Sequence, residues 1–282
     1  MNKKGLILLF VFIYFLTICF SIGGIPKDAE RTGLFGINLS GEKVSALCLA
    51  TAYPSMKIDF SSAERVEGEK EKDEEEPLEK ETKTPTGKPK VLIYHTHATE
   101  SYLPSSAGNY HTTKEKDTVR EVGEVLKKSL EQEGISVIHN KIIHDNPSYN
   151  DAYTRSFETI SEILKKYPSI ECIIDLHRDA TAAKVQGPTW QVGGKDCSVY
   201  SYVISTGTAN YNKSKKFLVE MNEIGAKGYG GYTGEILERP YSYNQELCGK
   251  SILIEIGNNR NNIKEARNCA AIYGKIMAKA LE

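Results

Sequence analysis

The sequence predicts an α/β domain over residues 91–282, with a mainly parallel sheet and helices on both of its faces. Three observations predict it. Short, branched apolar runs alternate with longer stretches whose apolar residues recur every three or four positions. The first run, the stretch after it and the second run form a strand–helix–strand unit of the kind that builds parallel sheets. The alternation then continues to the last residues of the chain.

Val91-Leu92-Ile93-Tyr94 is a short buried strand by its length and branching. Val119, Val122, Val125, Leu126 and Leu130 recur at helical spacing with charges between them, and Gly134 closes that helix as its C-terminal cap. Ile135 to Ile138 is the return strand, and Tyr153 to Tyr167 reads as the next helix. Cys172-Ile173-Ile174-Asp175-Leu176 is a strand, and Trp190 to Val203 a hairpin turning at Gly193-Gly194. Lys213 to Gly225 is a further helix, Ser251 to Ile256 a strand and Ile263 to Leu281 the closing helix. Helices distributed between strands in this way pack on both faces of the sheet.

The first 90 residues have another character. Asn2-Lys3-Lys4 precedes a charge-free apolar run from Gly5 to about Ile22. Signal-peptide cores are usually about 7 to 15 residues long, whereas roughly 18 to 20 are needed to span hydrocarbon, so residues 1–25 read as a retained transmembrane anchor, with a cleaved signal segment as the alternative. The lysines stay cytoplasmic by the positive-inside rule, which places the rest of the chain outside the cytoplasm. Residues 26–62 are a short juxtamembrane segment. Residues 63–90 contain EGEKEKDEEEPLEKETKTPTGKPK, which has too little apolar surface to offset ordering entropy and reads as a disordered, extended linker.

Charge and cysteine usage exclude several classes. The formal net charge is −1 and no basic cluster is interleaved with aromatics, so nucleic acid is not an expected partner. The six cysteines include no C-x-x-C pair, which excludes a zinc ribbon and a thioredoxin-like motif; no disulfide is expected to be required.

Polar residues arrive at the carboxyl ends of strands. His95-Thr96-His97-Ala98-Thr99-Glu100 follows the first, His177-Arg178-Asp179 follows another, and Glu255 sits near the end of a third. In open α/β sheets the functional crevice lies beyond those ends. Two imidazoles and carboxylates at one mouth point to a metal, although either histidine equally reads as a buried hydrogen-bonding group. A hydrolytic zinc takes three protein ligands, often two His and a carboxylate, and keeps one position open. Glu255, flanked by Ile254 and Ile256, needs a partner or a role, because burying it unpaired is costly. Asp175 is placed to orient His177, while Asp179 pairs with Arg178 or faces substrate. Tyr243-Asn244-Gln245 precedes the Glu255 strand and reads as substrate contact or as ordinary turn chemistry. Trp190, the only tryptophan, reads as a sugar-stacking platform or a core anchor. His111, His139 and His144 carry no partner signature.

His95-Thr96-His97-Ala98-Thr99-Glu100-Ser101-Tyr102, Asp175-Leu176-His177-Arg178-Asp179-Ala180, Tyr243-Asn244-Gln245-Glu246-Leu247 and Ile254-Glu255-Ile256-Gly257 with Asn261 together resemble the stage II sporulation protein P family. That resemblance implies an N-terminally anchored enzyme of forespore engulfment, located at the mother-cell membrane. It implies N-acetylmuramoyl-L-alanine amidase activity with an additional stem-peptide endopeptidase activity, peptidoglycan as substrate, and stage II sporulation proteins D and M as partners. The domain is also similar to zinc amidases of the third N-acetylmuramoyl-L-alanine amidase type, which implies a zinc amidase-like fold and a Zn2+ cofactor. By that similarity His97 and His177 are zinc ligands and Glu255 the general base. Glu100, from the sporulation signature, is the third ligand, with Glu115 of Glu115-Lys116-Asp117 as the alternative, and His95 is a supporting group or alternative ligand. The rival expectation is a module that binds peptidoglycan in an engulfment complex without cutting it.

Overall fold

The computed structural model describes residues 87–182 and 184–282. The expected anchor over 1–25, the juxtamembrane segment over 26–62 and nearly all of the linker over 63–90 lie outside them. Among the described residues no helix is long and apolar enough to cross a membrane.

The fold is mixed α/β around a six-stranded, mostly parallel sheet. In chain order the strands are β1 (Val91–Tyr94), β2 (Val137–His139), β3 (Cys172–Asp179), β4 (Thr189–Val192), β5 (Lys195–Ser198), β6 (Tyr200–Ser205), β7 (Glu235–Arg239) and β8 (Lys250–Asn258). The helices are α1 (Val119–Gln132), α2 (Ala152–Lys166), α3 (Tyr211–Gly228) and α4 (Ile263–Leu281). The large sheet runs β2-β1-β3-β8-β6-β7, and its neighbours are parallel except for β6 against β8.

Strand alternation sorts the core into two clusters. Val91, Ile93, Cys172, Ile174, Ile252 and Ile254 face α1, α3 and α4, which contribute Val122, Leu126, Leu218, Met221, Ala270 and Tyr273. Leu92, Tyr94 and Ile173 face the other way, onto Ile160 of α2. Helices therefore cover both faces, three on one and α2 alone on the other. The polar residues gather on α2's side, at the strands' carboxyl ends.

Several boundaries moved for physical reasons. Gly134 takes φ of 87° after α1, and Ile135 still donates its amide to Leu130 O at 3.1 Å, so β2 starts two residues later than its apolar run. The strand of Cys172 runs on through His177-Arg178-Asp179, because β8 outlasts β1 and keeps pairing with it, His177 opposite Glu255 and, after an irregularity, Asp179 opposite Asn258. The hairpin around Gly193-Gly194 stops at Ser198, forming its own two-stranded sheet, and Tyr200 onward crosses into the large sheet. Its edge strand β7 was not expected, since Glu235-Ile236-Leu237-Glu238-Arg239 is polar and only two of its residues are apolar. The closing helix has the expected limits and a capping box between Asn262 and Glu265.

Among the described residues the two core clusters begin at Val91 and Leu92. A protein starting at Lys88 is therefore expected to keep a cooperative melt. Calorimetry of that truncated protein beside the full chain checks this, and loss of the transition places the domain boundary further upstream.

Candidate metal centre and active site

Backbone pairing between β1 and β3 ends at Tyr94 opposite Asp175, and side chains take over from there. Asp175 accepts from the Thr96 amide at 2.8 Å and from Thr96 Oγ1 at 2.6 Å. The chain then turns, with the Glu100 amide donating to His97 O at 3.3 Å, which brings the His97 and Glu100 side chains to the same side. Glu100 Oε1 lies 4.0 Å from His97 Nδ1, and Glu100 Oε2 lies 3.5 Å from His177 Nδ1. Ligand atoms of His97, Glu100 and His177 all lie within 4.8 Å of one another, and all three residues are buried. Two imidazole nitrogens and a carboxylate converging at this spacing form a donor set that fits zinc.

The surroundings orient this set. Arg178 donates its amide to Glu100 Oε2 at 3.0 Å, while its guanidinium reaches Ser101 O at 3.2 Å and Tyr110 O at 2.8 Å, clamping the loop that carries Glu100. Burial pushes the Glu100 carboxyl up, but His177, Arg178 and His97 outweigh it and hold the group at about 2. Burial and the neighbouring His177 lower His97 to about 4, so its ring is neutral and able to donate a lone pair to a metal. The other nitrogen of His177, Nε2, is 2.8 Å from Asp175 Oδ1, although the ring does not align a hydrogen with that oxygen. The expected proximity of Asp175 to His177 is thus present, with Thr96 as its firmer partner.

Glu255 sits beside His177 in register on β8, and its Oε2 is buried with no hydrogen-bond partner. Burial, with Glu100 and Asp179 adding to it against His177, pushes the Glu255 carboxyl up to about 8. A buried polar group without a partner costs about 1–3 kcal/mol, more if charged, which sets Glu255 apart as a candidate for a role in the cleft. A cleft of about 260 Å³ opens between Glu255 and the His97–Glu100–His177 group, walled by Tyr149, Tyr153 and Arg239. A second hollow of about 330 Å³ adjoins it, sharing Glu255 and Asp179.

Other expected site residues are placed differently. Glu115 is half exposed, bonds Lys141 Nζ at 2.7 Å and lies outside the His97–Glu100–His177 group. His95 is fully buried, its Nδ1 donating to Leu176 O and its Nε2 2.9 Å from His139 Nε2, and it lies outside the His97–Glu100–His177 group. Asn244 bonds Tyr153 O and Ser156 Oγ, and Gln245 bonds Val203 O and the Ser205 amide; both amides anchor the loop, and only Tyr243 of that trio lines the cleft. Asp179 lines the cleft too, its carboxylate accepting from the Ala180 amide while Arg178 reaches only its carbonyl. Trp190 is 45% exposed and is no core anchor. His111 bonds Thr99 Oγ1, and His144 bonds His95 O. Tyr149, stacked on the His97 ring at 3.9 Å, and Tyr153, edge-on at 5.7 Å, went unnoticed in the sequence. Two tyrosines four apart at a helix start were the available signal, lost among sixteen tyrosines.

A model of the stage II sporulation protein P family matches residues 45–280. The stage II sporulation protein P of Bacillus subtilis (strain 168) is 29% identical over 239 residues, covering 78% of this chain and 59% of its own length. The chain thus spans well under two thirds of that relative. Solved structures with similarity include the CwlD amidase of Clostridioides difficile in complex with the GerS lipoprotein, at 14% identity and a TM-score of 0.43 over 68% of this chain and 100% of that one. The N-acetylmuramoyl-L-alanine amidase AmiC2 of Nostoc punctiforme gives 10% identity and a TM-score of 0.44 over 70% of this chain and 96% of that one.

Proposed function

The chain belongs to the stage II sporulation protein P family, and on that premise we propose that it is a zinc-dependent peptidoglycan hydrolase cutting the amide between the muramoyl lactyl group and L-alanine. The observation that carries this reading is the buried His97–Glu100–His177 group facing the unpartnered carboxylate of Glu255 across one cleft. His97, Glu100 and His177 are the ligands in this reading. Zinc held there supplies Lewis acidity, which polarises a carbonyl and draws the pKa of a water towards neutrality.

Glu255 Oε2 accepts a proton from water as the water oxygen adds to the lactyl carbonyl carbon. It returns that proton to the nitrogen as the C–N bond breaks, and the second proton of the water passes from the new carboxyl group to the amine, leaving a lactyl carboxylate and the ammonium terminus of the stem peptide. A carboxyl pushed towards neutral pH is suited to both transfers. Asp175 lies against the His177 ring as its charged neighbour, Arg178 holds Glu100, and Tyr149 fixes the His97 ring by stacking on it. Tyr243, Arg239 and Asp179 contact the substrate along the cleft walls.

The remaining parts of the reading follow family membership and the first 90 residues. An anchor near residues 5–22 and the charged linker tether the domain outside the cytoplasm at the mother-cell membrane, where it acts in engulfment beside stage II sporulation proteins D and M. A stem-peptide endopeptidase activity accompanies the amidase. Digestion of purified sacculi with and without a chelator, followed by mass analysis, tests the core of this. Free tripeptides and tetrapeptides are expected, and chelation is expected to abolish them. Release of shortened cross-links alone would make the enzyme an endopeptidase, and muropeptide binding by a zinc-free, inactive protein would make it a binding module.

A further inference from the structure

The first histidine of the His95-Thr96-His97 signature is left without a task by the mechanism. His95 is fully buried at the end of β1, on the opposite side of the strand from the cleft. Its Nδ1–H donates to Leu176 O at 2.8 Å, the carbonyl immediately before His177. Its Nε2 lies 2.9 Å from Nε2 of His139, the last residue of β2, whose Nδ1 is 3.2 Å from Glu124 Oε2 on α1. Its own carbonyl accepts from His144 Nδ1 at 2.8 Å. One imidazole thereby joins the end of β1 to the β3 residue that presents His177, and a second braces the first against β2 and α1.

An independent feature marks the same place. Gly123 lies inside α1, where glycine is a poorer helix former than alanine. A Cβ there would come within 2.6 Å of His139 Nε2 and 3.0 Å of His95 Cε1. The glycine makes the room in which the two rings meet.

Backbone pairing of β1 with β3 stops at Tyr94 opposite Asp175, whereas His97 and His177 lie beyond that point and need a defined spacing to share one ion. We propose that His95 and His139 are positioning residues for the metal pair: the His95–Leu176 bond takes over from the β1–β3 backbone ladder and sets the distance between His97 and His177, and His139, packed edge-on against the His95 ring, holds that ring in place. This rests on the reading of His97, Glu100 and His177 as a zinc site. Thr96 with Asp175 does the equivalent work on the cleft side, so the two sides of β1 are pinned by different side chains of one motif.

The test compares full-length wild type with His139→Ala, His139→Gln and Gly123→Ala. Zinc affinity is read by chelator competition, ligand geometry by the visible spectrum of the cobalt-substituted protein, and folding by the metal-free melt. His139→Ala is expected to weaken zinc binding by roughly 10- to 100-fold, the range typical of groups supporting ligand histidines, and to shift the cobalt bands while the metal-free melt stays cooperative. Gly123→Ala, which pushes the rings apart, is expected to do the same, and His139→Gln, which still meets His95 Nε2, to restore most of the affinity. Wild-type affinity and an unchanged cobalt spectrum in His139→Ala and Gly123→Ala would overturn the inference. Equal weakening in the Ala and Gln variants would also overturn it, as a general packing effect. If His139→Ala does not fold, Gly123→Ala against His139→Gln decides the same question. A wild type that binds no zinc overturns the metal reading itself, and this inference with it.

Discussion

Replacing His97 with alanine is expected to remove zinc and hydrolysis together. The donor set consists of one nitrogen from each of two imidazoles and one carboxylate, within 4.8 Å of one another. Deleting one imidazole leaves two ligands where a hydrolytic zinc takes three. The loss of affinity should exceed the roughly 10- to 100-fold that a merely supporting partner is worth. His177→Ala is expected to behave alike and to leave Asp175 buried without its imidazole neighbour, its bonds to Thr96 remaining. Glu115→Ala serves as the contrast, because Glu115 pairs with Lys141 at the surface and its removal should leave zinc content unchanged. Elemental analysis of the purified variants beside muropeptide release reads all three. Zinc retained at wild-type stoichiometry in His97→Ala would remove that residue from the ligand set.

Glu255→Gln is expected to separate metal from chemistry. The amide keeps the side chain's size and lies outside the ligand group, so zinc content should persist. It cannot take a proton from water, so turnover should fall by roughly two to four orders of magnitude, the contribution of a well-placed general base. The fold should survive, because Glu255 Oε2 has no hydrogen-bond partner to lose and a neutral amide is cheaper to bury than a carboxylate. A Glu255→Gln protein that lost its zinc would make the residue a ligand. One that stayed fully active would take it out of the mechanism.

The separate fates of His95 and His97 show where reading the sequence stops being enough. His95 and His97 are two positions apart, and along an extended strand that spacing keeps two side chains on one face. The turn at Thr96 breaks that parity, so His97 reaches the cleft while His95 goes beneath the sheet to Leu176 O and His139. Glu100 and Glu115 were chemically equivalent candidates. What separates them is the turn that folds Glu100 back beneath Arg178, against a surface position that hands Glu115 to Lys141.

Element type and order were legible for strongly periodic stretches, because apolar spacing at 3.6 or 2 residues depends only on which face a chain must bury. The closing helix Ile263–Leu281, capped by Asn262 and Glu265, and the apolar strand around Glu255 needed nothing beyond their own residues. So did the chemistry on offer: a carboxylate between two isoleucines and a His-x-His after a strand are local facts. Tertiary structure alone decided the rest. Edge strand β7 exists because β6 offers it a partner, β3 runs on to Asp179 because β8 does, and Asn244 and Gln245 serve the loop because Tyr153, Ser156, Val203 and Ser205 come within reach. These outcomes depend on which neighbour a backbone or side-chain group meets across the fold, and pairings between residues tens of positions apart leave no periodic trace in the chain that makes them.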